Sequence, residues 1–117
     1  MILALVDDLM VGSRIEEAAK ALGMRAEAVS SPDEARQRLK SIAVDGVVVD
    51  LAMPRLNLDD LVRKAREAGA WLIAFYPHVS VELRRTAEAA GVEHVYPRSR
   101  FLRDLPKLLL ERLEKKA

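Results

Sequence analysis

Cysteine is absent from this chain of 117 residues. Its absence removes disulfides, zinc–thiolate sites and thiol nucleophiles together, and it is compatible with a reducing cytosol. A chain of this length buries roughly two thirds of its extended surface on folding, so it can build a core without such links. Aromatic residues are scarce, at 4% with a single Trp, so Val, Leu, Ile and Ala must fill that core. Asn and Gln occur once each, as Asn57 and Gln37, beside many Arg and Glu; this composition fits a heat-tolerant source. No apolar run approaches the length of a membrane span. The first residues, MILALVDD, lack the basic segment and cleavage site of a signal peptide. The length suits one domain, read as residues 1–117. Charge of one sign is lacking too: the net value is +1. That weighs against a dedicated nucleic-acid binder. Lys and Arg outnumber Asp and Glu from His78 onward, a bias that more often marks a solvated face than a DNA surface.

What is present is a repeating alternation. Ile2 to Val6 is a short apolar run closed by Asp7 and Asp8, and it predicts a buried strand. Ile15, Ala18, Ala19 and Leu22 fall at helical spacing, predicting a helix over Ser13 to Leu22 that Gly23 ends. Met24 to Val29 reads as a second strand at a sheet edge. Ser31-Pro32-Asp33-Glu34 carries a capping serine, a first-turn proline and the acid of a capping box, and opens a helix to about Ser41. Asp45-Gly46 turns the chain into a Val-rich strand. A helix from about Leu58 to Ala68 follows, then a strand at Ala70 to Phe75. Ser80 caps a helix to about Ala90, and Val92 to Tyr96 is a last strand. Phe101 to Leu113 predicts one leucine-rich helix, with Leu102, Leu105, Leu109 and Leu113 on its inner side.

Gly23, Gly46, Gly69 and Gly91 recur at a near-constant interval, each between a helical stretch and a strand. Five βα units with short loops predict an α/β fold. The expected form is a flavodoxin-like, doubly wound, five-stranded parallel sheet in the order 2-1-3-4-5 with five helices.

The central stretch is GVVVDLAMP, Gly46 to Pro54. Val47, Val48 and Val49 do not alternate with polar residues, as in a strand covered on both faces. Asp50 ends that strand, where open α/β sheets place their ligands. With strands one and three adjacent, Asp7, Asp8 and Asp50 converge on one crevice. Like charges 4 Å apart repel by about 4 kcal/mol at an effective dielectric near 20, so the cluster needs a cation or a retained proton. Oxygen-only ligation suits Mg²⁺, and a carboxylate beside it can form an acyl phosphate. Asp7-Asp8 could equally cap the helix that follows, and both readings stand at this point.

LVDD at Leu5–Asp8, VVVDLAMP at Val47–Pro54 and AGVEHVY at Ala90–Tyr96 make the chain similar, over nearly all its length, to an atypical CheY-like receiver domain of bacterial response regulators. The resemblance implies a cytoplasmic signalling domain rather than an enzyme, although self-phosphorylation and dephosphorylation at Asp50 would be open to it. A histidine kinase or phosphotransfer protein would deliver a phosphoryl group to Asp50. Asp7, Asp8, Asp50 and the Ala52 carbonyl would hold Mg²⁺. With no output domain attached, the effect would pass to a downstream protein target. A homodimer through the last two helices and last strand also belongs to what it implies.

The departures are as specific. Tyr76 stands where the family has a small Thr or Ser, with Pro77 next. Arg98 stands at the usual lysine, Ser99 replaces the usual proline, and Leu56-Asn57-Leu58 replaces a glycine turn. Three readings follow. They are a phosphorylated switch, a degenerate receiver binding a partner without phosphoryl control, and a small hydrolase using the same acids. His78 and His94 read as ordinary surface or satisfied histidines, and Trp71 as packing. Arg84, Arg85, Arg100 and Arg103 suit a solvated or protein-binding face, since no helix-turn-helix unit is left for DNA.

Overall fold

The Val-rich strand lies at the centre of a parallel sheet. In the computed structural model, which describes residues 1–77 and 80–116, strands and helices alternate. They run β1 (Ile2–Leu5), α1 (Leu9–Ala21), β2 (Ala26–Val29), α2 (Pro32–Ser41), β3 (Gly46–Asp50) and α3 (Leu58–Glu67), then β4 (Trp71–Tyr76), α4 (Val81–Ala89), β5 (His94–Pro97), α5 (Arg98–Arg103) and α6 (Leu105–Lys116). The sheet order is β2-β1-β3-β4-β5, all neighbours being parallel, with Leu5 opposite Val49 and Asp50 opposite Phe75. This is the expected doubly wound sheet. His78 lies outside the described residues.

Successive side chains of each central strand face opposite ways, and the core divides accordingly. Leu3, Leu5, Val47, Val49, Ala74 and Tyr76 share one cluster with Ala35, Leu61, Val62, Ala65 and Ala87, so α2, α3 and α4 cover that face. Ile2, Ala4, Val48, Ile73 and Phe75 share the other with Val11, Ile15, Ala19, Phe101, Leu105 and Leu109, beneath α1, α5 and α6. Double coverage is why Val47 to Val49 need no polar alternation. Phe75 and Phe101 stack with centroids 4.7 Å apart, which fixes α5 against β4.

Helix starts follow local chemistry. Ser31, Asn57 and Ser80 each accept a backbone N–H with the side-chain oxygen, capping α2, α3 and α4. Gly69 and Gly91 adopt positive φ behind α3 and α4, where a Cβ would be strained. Gly46 differs. It is the first residue of β3, and a Cβ there would lie 2.0 Å from the Trp71 ring; closeness, not turn geometry, selects glycine.

Two expectations need correction. α1 begins at Leu9, not Ser13, because Asp8 caps it. The single C-terminal helix is two, so among the described residues six helices are present where five were expected. Pro106 lacks an N–H and its ring collides with the carbonyl four residues back, so the chain breaks at Asp104. The buried residues are therefore Phe101, Leu105, Leu108 and Leu109, while Leu113 is exposed.

Candidate functional site

The carboxyl ends of the strands build one rim. β1 runs out into Val6, Asp7 and Asp8, β3 ends on Asp50, β4 on Tyr76, and β5 on Pro97 followed by Arg98. With β1 and β3 adjacent, their loops part in opposite directions and leave the crevice where such sheets bind ligands.

Asp50 is partly buried. Its Oδ1 accepts the Ala52 N–H at 2.9 Å, and the Met53 N–H donates to the Asp50 carbonyl at 3.0 Å, closing a tight turn. Ala52 itself is exposed. Burial pushes the Asp50 carboxyl above its ordinary value; the Ala52 N–H opposes this, Asp7 adds to it, Arg98 opposes it and Asp8 adds to it. The three acids and Arg98 therefore share one electrostatic neighbourhood. Arg55 follows at φ 62°, a left-handed backbone uncommon outside glycine. It carries the bend between Asp50 and α3.

Asp8 does two jobs at once. Its Oδ1 accepts the N–H groups of Met10 at 2.9 Å and Val11 at 3.2 Å, capping α1. Its Oδ2 accepts Nη2 of Arg98 at 2.8 Å. The Val11 hydrogen bond, helped by Arg98 and the Met10 N–H, holds the carboxyl below its usual range against a smaller opposing effect of desolvation. Asp7 is exposed.

A magnesium ion is what the acid cluster would call for, and the side chains do not fit it as they stand. Both oxygens of Asp8 are engaged, one of them by a cation already. Among the described residues no three His, Cys, Asp or Glu side chains are grouped to hold a metal ion.

Tyr76 ends β4 opposite Pro97 and is only 6% exposed. It sits in the core cluster with Ala74 and Ala87. It also lines a cavity of about 300 Å³ with Ser80, Val81, Arg84, Arg85 and Glu88. Arg84 pairs with Glu88, and Arg100 and Arg103 with Asp104; Arg100 also lies over the Tyr96 ring at 5.3 Å. These basic residues thus have acidic or aromatic neighbours of their own. Sequence reasoning missed Leu9 and Met10, which are 88% and 72% exposed beside the acid doublet. Their signal was the spacing from Asp8 to Val11, that of a cap and its third helical residue.

No protein-family model matches the chain, and no curated protein does. Solved structures do. The CheY-like response regulator receiver domain protein of Methanospirillum hungatei superposes with a TM-score of 0.81 at 20% identity, covering 97% of this chain and 93% of that one. The receiver domain of the sensor histidine kinase PA1611 from Pseudomonas aeruginosa, solved with magnesium in its active site cleft, gives 0.79 at 21% identity, covering 97% and 96%. HP1043, an orphan response regulator of H. pylori, gives 0.80 at 17% identity, covering 96% and 94%. Among the described residues no helix is long and apolar enough to cross a membrane. The strand order, the alternation of helices and the superposition over nearly the full length agree: this chain has the fold of response-regulator receiver domains.

Proposed function

We propose that the chain is a receiver domain of a two-component phosphorelay, signalling through protein–protein contacts with Asp50 as its phosphoacceptor. The observation that carries this reading is the position of Asp50. It is a partly buried carboxylate ending the central strand, held by the Ala52 N–H and within electrostatic reach of Asp7, Asp8 and Arg98. A histidine kinase or phosphotransfer protein would supply phosphohistidine. An Asp50 oxygen attacks phosphorus, the P–N bond breaks with its electron pair going to nitrogen, and the imidazole, already protonated on its other ring nitrogen, leaves as the neutral base. Arg98 lies where it can offset the added negative charge. Magnesium is found in the P. aeruginosa neighbour; here its place among Asp7, Asp8, Asp50 and the Ala52 carbonyl is contested by Arg98, and no step is assigned to it.

The phosphorylated form would act through a protein contact. Leu110 and Leu113 of α6 are 41% and 36% exposed, which supports a contact surface, for a target or a second copy, at the C-terminal end of the fold. Treatment with a small phosphodonor, with and without Mg²⁺, tests the reading by intact mass. One phosphoryl group is expected on the wild type and none on Asp50→Asn; an unmodified wild type under both conditions would refute it.

The degenerate reading is favoured by a different observation, the buried Tyr76 in place of a small hydroxyl residue. A two-state switch needs about 5.5 kcal/mol to pass from 1:99 to 99:1, and a ring packed in the core is poorly placed to report on a phosphoryl group. Under this reading partner binding is the same for the wild type and Asp50→Asn.

A further inference from the structure

We infer that Arg98 is the resident cation of the acid pocket, and that by holding Asp8 it keeps a divalent ion out. The inference deepens the reading above by naming the charge partner of that site. Its test uses no phosphodonor, so its failure and the failure of Asp50 as phosphoacceptor can be told apart.

Three observations carry it. The first is the direct pair, Arg98 Nη2 to Asp8 Oδ2 at 2.8 Å, joining residues from the β1–α1 loop and the start of α5. The second is that the remaining oxygen of Asp8 is committed as well, to the backbone N–H groups of Met10 and Val11. A metal ion would have to compete with the cap of a helix of 13 residues as well as with the guanidinium. The third is that no set of three ligand-type side chains is grouped for a metal among the described residues. A carboxylate cluster seeks positive charge, and here the chain supplies some of it.

Arginine suits the task better than lysine would. It remains charged at every accessible pH, and its planar fork keeps hydrogen-bond geometry that a lone ammonium does not. Position helps as well. Arg98 is the first residue of α5, directly after the end of β5, and α5 is anchored below by the stacked Phe101. Were a metal to take Asp8, the displaced guanidinium would be left beside a second cation in the same crevice, and the two repel.

Magnesium titration of the full chain, followed by amide NMR at constant ionic strength, is the test. In the wild type, amides of Asp7, Asp8, Asp50 and Ala52 are expected to show no saturable shift up to on the order of 10 mM Mg²⁺. Arg98→Gln removes the competing charge, and saturable shifts at the same amides are expected, with affinity at least about tenfold tighter than any wild-type response. Saturable wild-type binding as tight as that of the variant would overturn the inference, and so would a variant as blind to Mg²⁺ as the wild type. Should Arg98→Gln fail to fold, Arg98→Met decides. It keeps an apolar stem and removes the charge, so saturable binding supports the assignment and its absence refutes it.

Discussion

Burial pushes the Asp50 carboxyl above the ordinary carboxylate range of 3.8, so the folded chain binds that proton more readily than the unfolded chain does. Ionised Asp50 therefore costs stability at pH above its raised value, and the cost disappears below about pH 3.8. Asp8 has the opposite sign. Its folded value is lowered, chiefly by the Val11 N–H, so its contribution is complete above 3.8 and is lost as pH falls through the lower folded value. Asn in place of Asp50 keeps an oxygen for the Ala52 N–H and removes the buried charge. Asp50→Asn is thus expected to melt higher than the wild type at neutral pH, with the gain shrinking steadily as pH approaches 3.8. Thermal unfolding across that range checks it; a gain independent of pH would mean that desolvation of the carboxylate is not its source. Asp50 was legible in sequence because an acid closing a run of valines gains nothing from packing. The Asp8–Arg98 pair was not, since it joins residues 90 apart and only folding brings them together.

At the scale of elements, capping explains most of what could be read in advance. Ser31 with Pro32, and Ser80, marked the starts of α2 and α4 because their chemistry is local. The break between α5 and α6 was also written in the sequence, in Pro106, but leucine spacing suggests one continuous helix if the proline is ignored. The break has a consequence on another helix. Pro106 cannot donate to the carbonyl of Leu102, and that carbonyl instead accepts Nη2 of Arg14, on α1, at 3.1 Å. One missing donor is thus replaced by a contact that ties α1 to α5. Arg14→Ala is expected to cost about 1 kcal/mol. In a Pro106→Ala background the residue-106 N–H can serve Leu102, and the same substitution should cost markedly less. Denaturant unfolding of the four proteins measures the coupling. An identical cost in both backgrounds would show that Arg14 does not stand in for the lost helical bond.

Across the whole molecule, the two ends of the sheet are built for different work. The carboxyl end carries the acids, Arg98 and a left-handed Arg55. At the amino end the Trp71 ring lies against Gly46, its partner in the β3–β4 register, and the backbone joins there through Trp71 N–H to the Asp45 carbonyl at 3.1 Å. Counting βα units was enough to anticipate the strand order, because alternation and right-handed crossovers leave few topologies. It could not show that Gly46 makes room for an indole, since that contact depends on how β3 and β4 align. Gly46→Ala places a methyl within the ring's volume and is expected to destabilise the chain by roughly 1–3 kcal/mol, with a changed Trp71 fluorescence maximum. The strand separating Gly46 from Asp50 spans about 13 Å at its ordinary rise, and its valines are buried on both faces. A packed strand of that kind should confine the disturbance. In the folded variant the Asp50 and Ala52 amide shifts are therefore expected to match the wild type while residues near Trp71 move. Comparable shifts at both ends would show instead that β3 transmits strain along its length, and that packing at the amino end sets the geometry around Asp50.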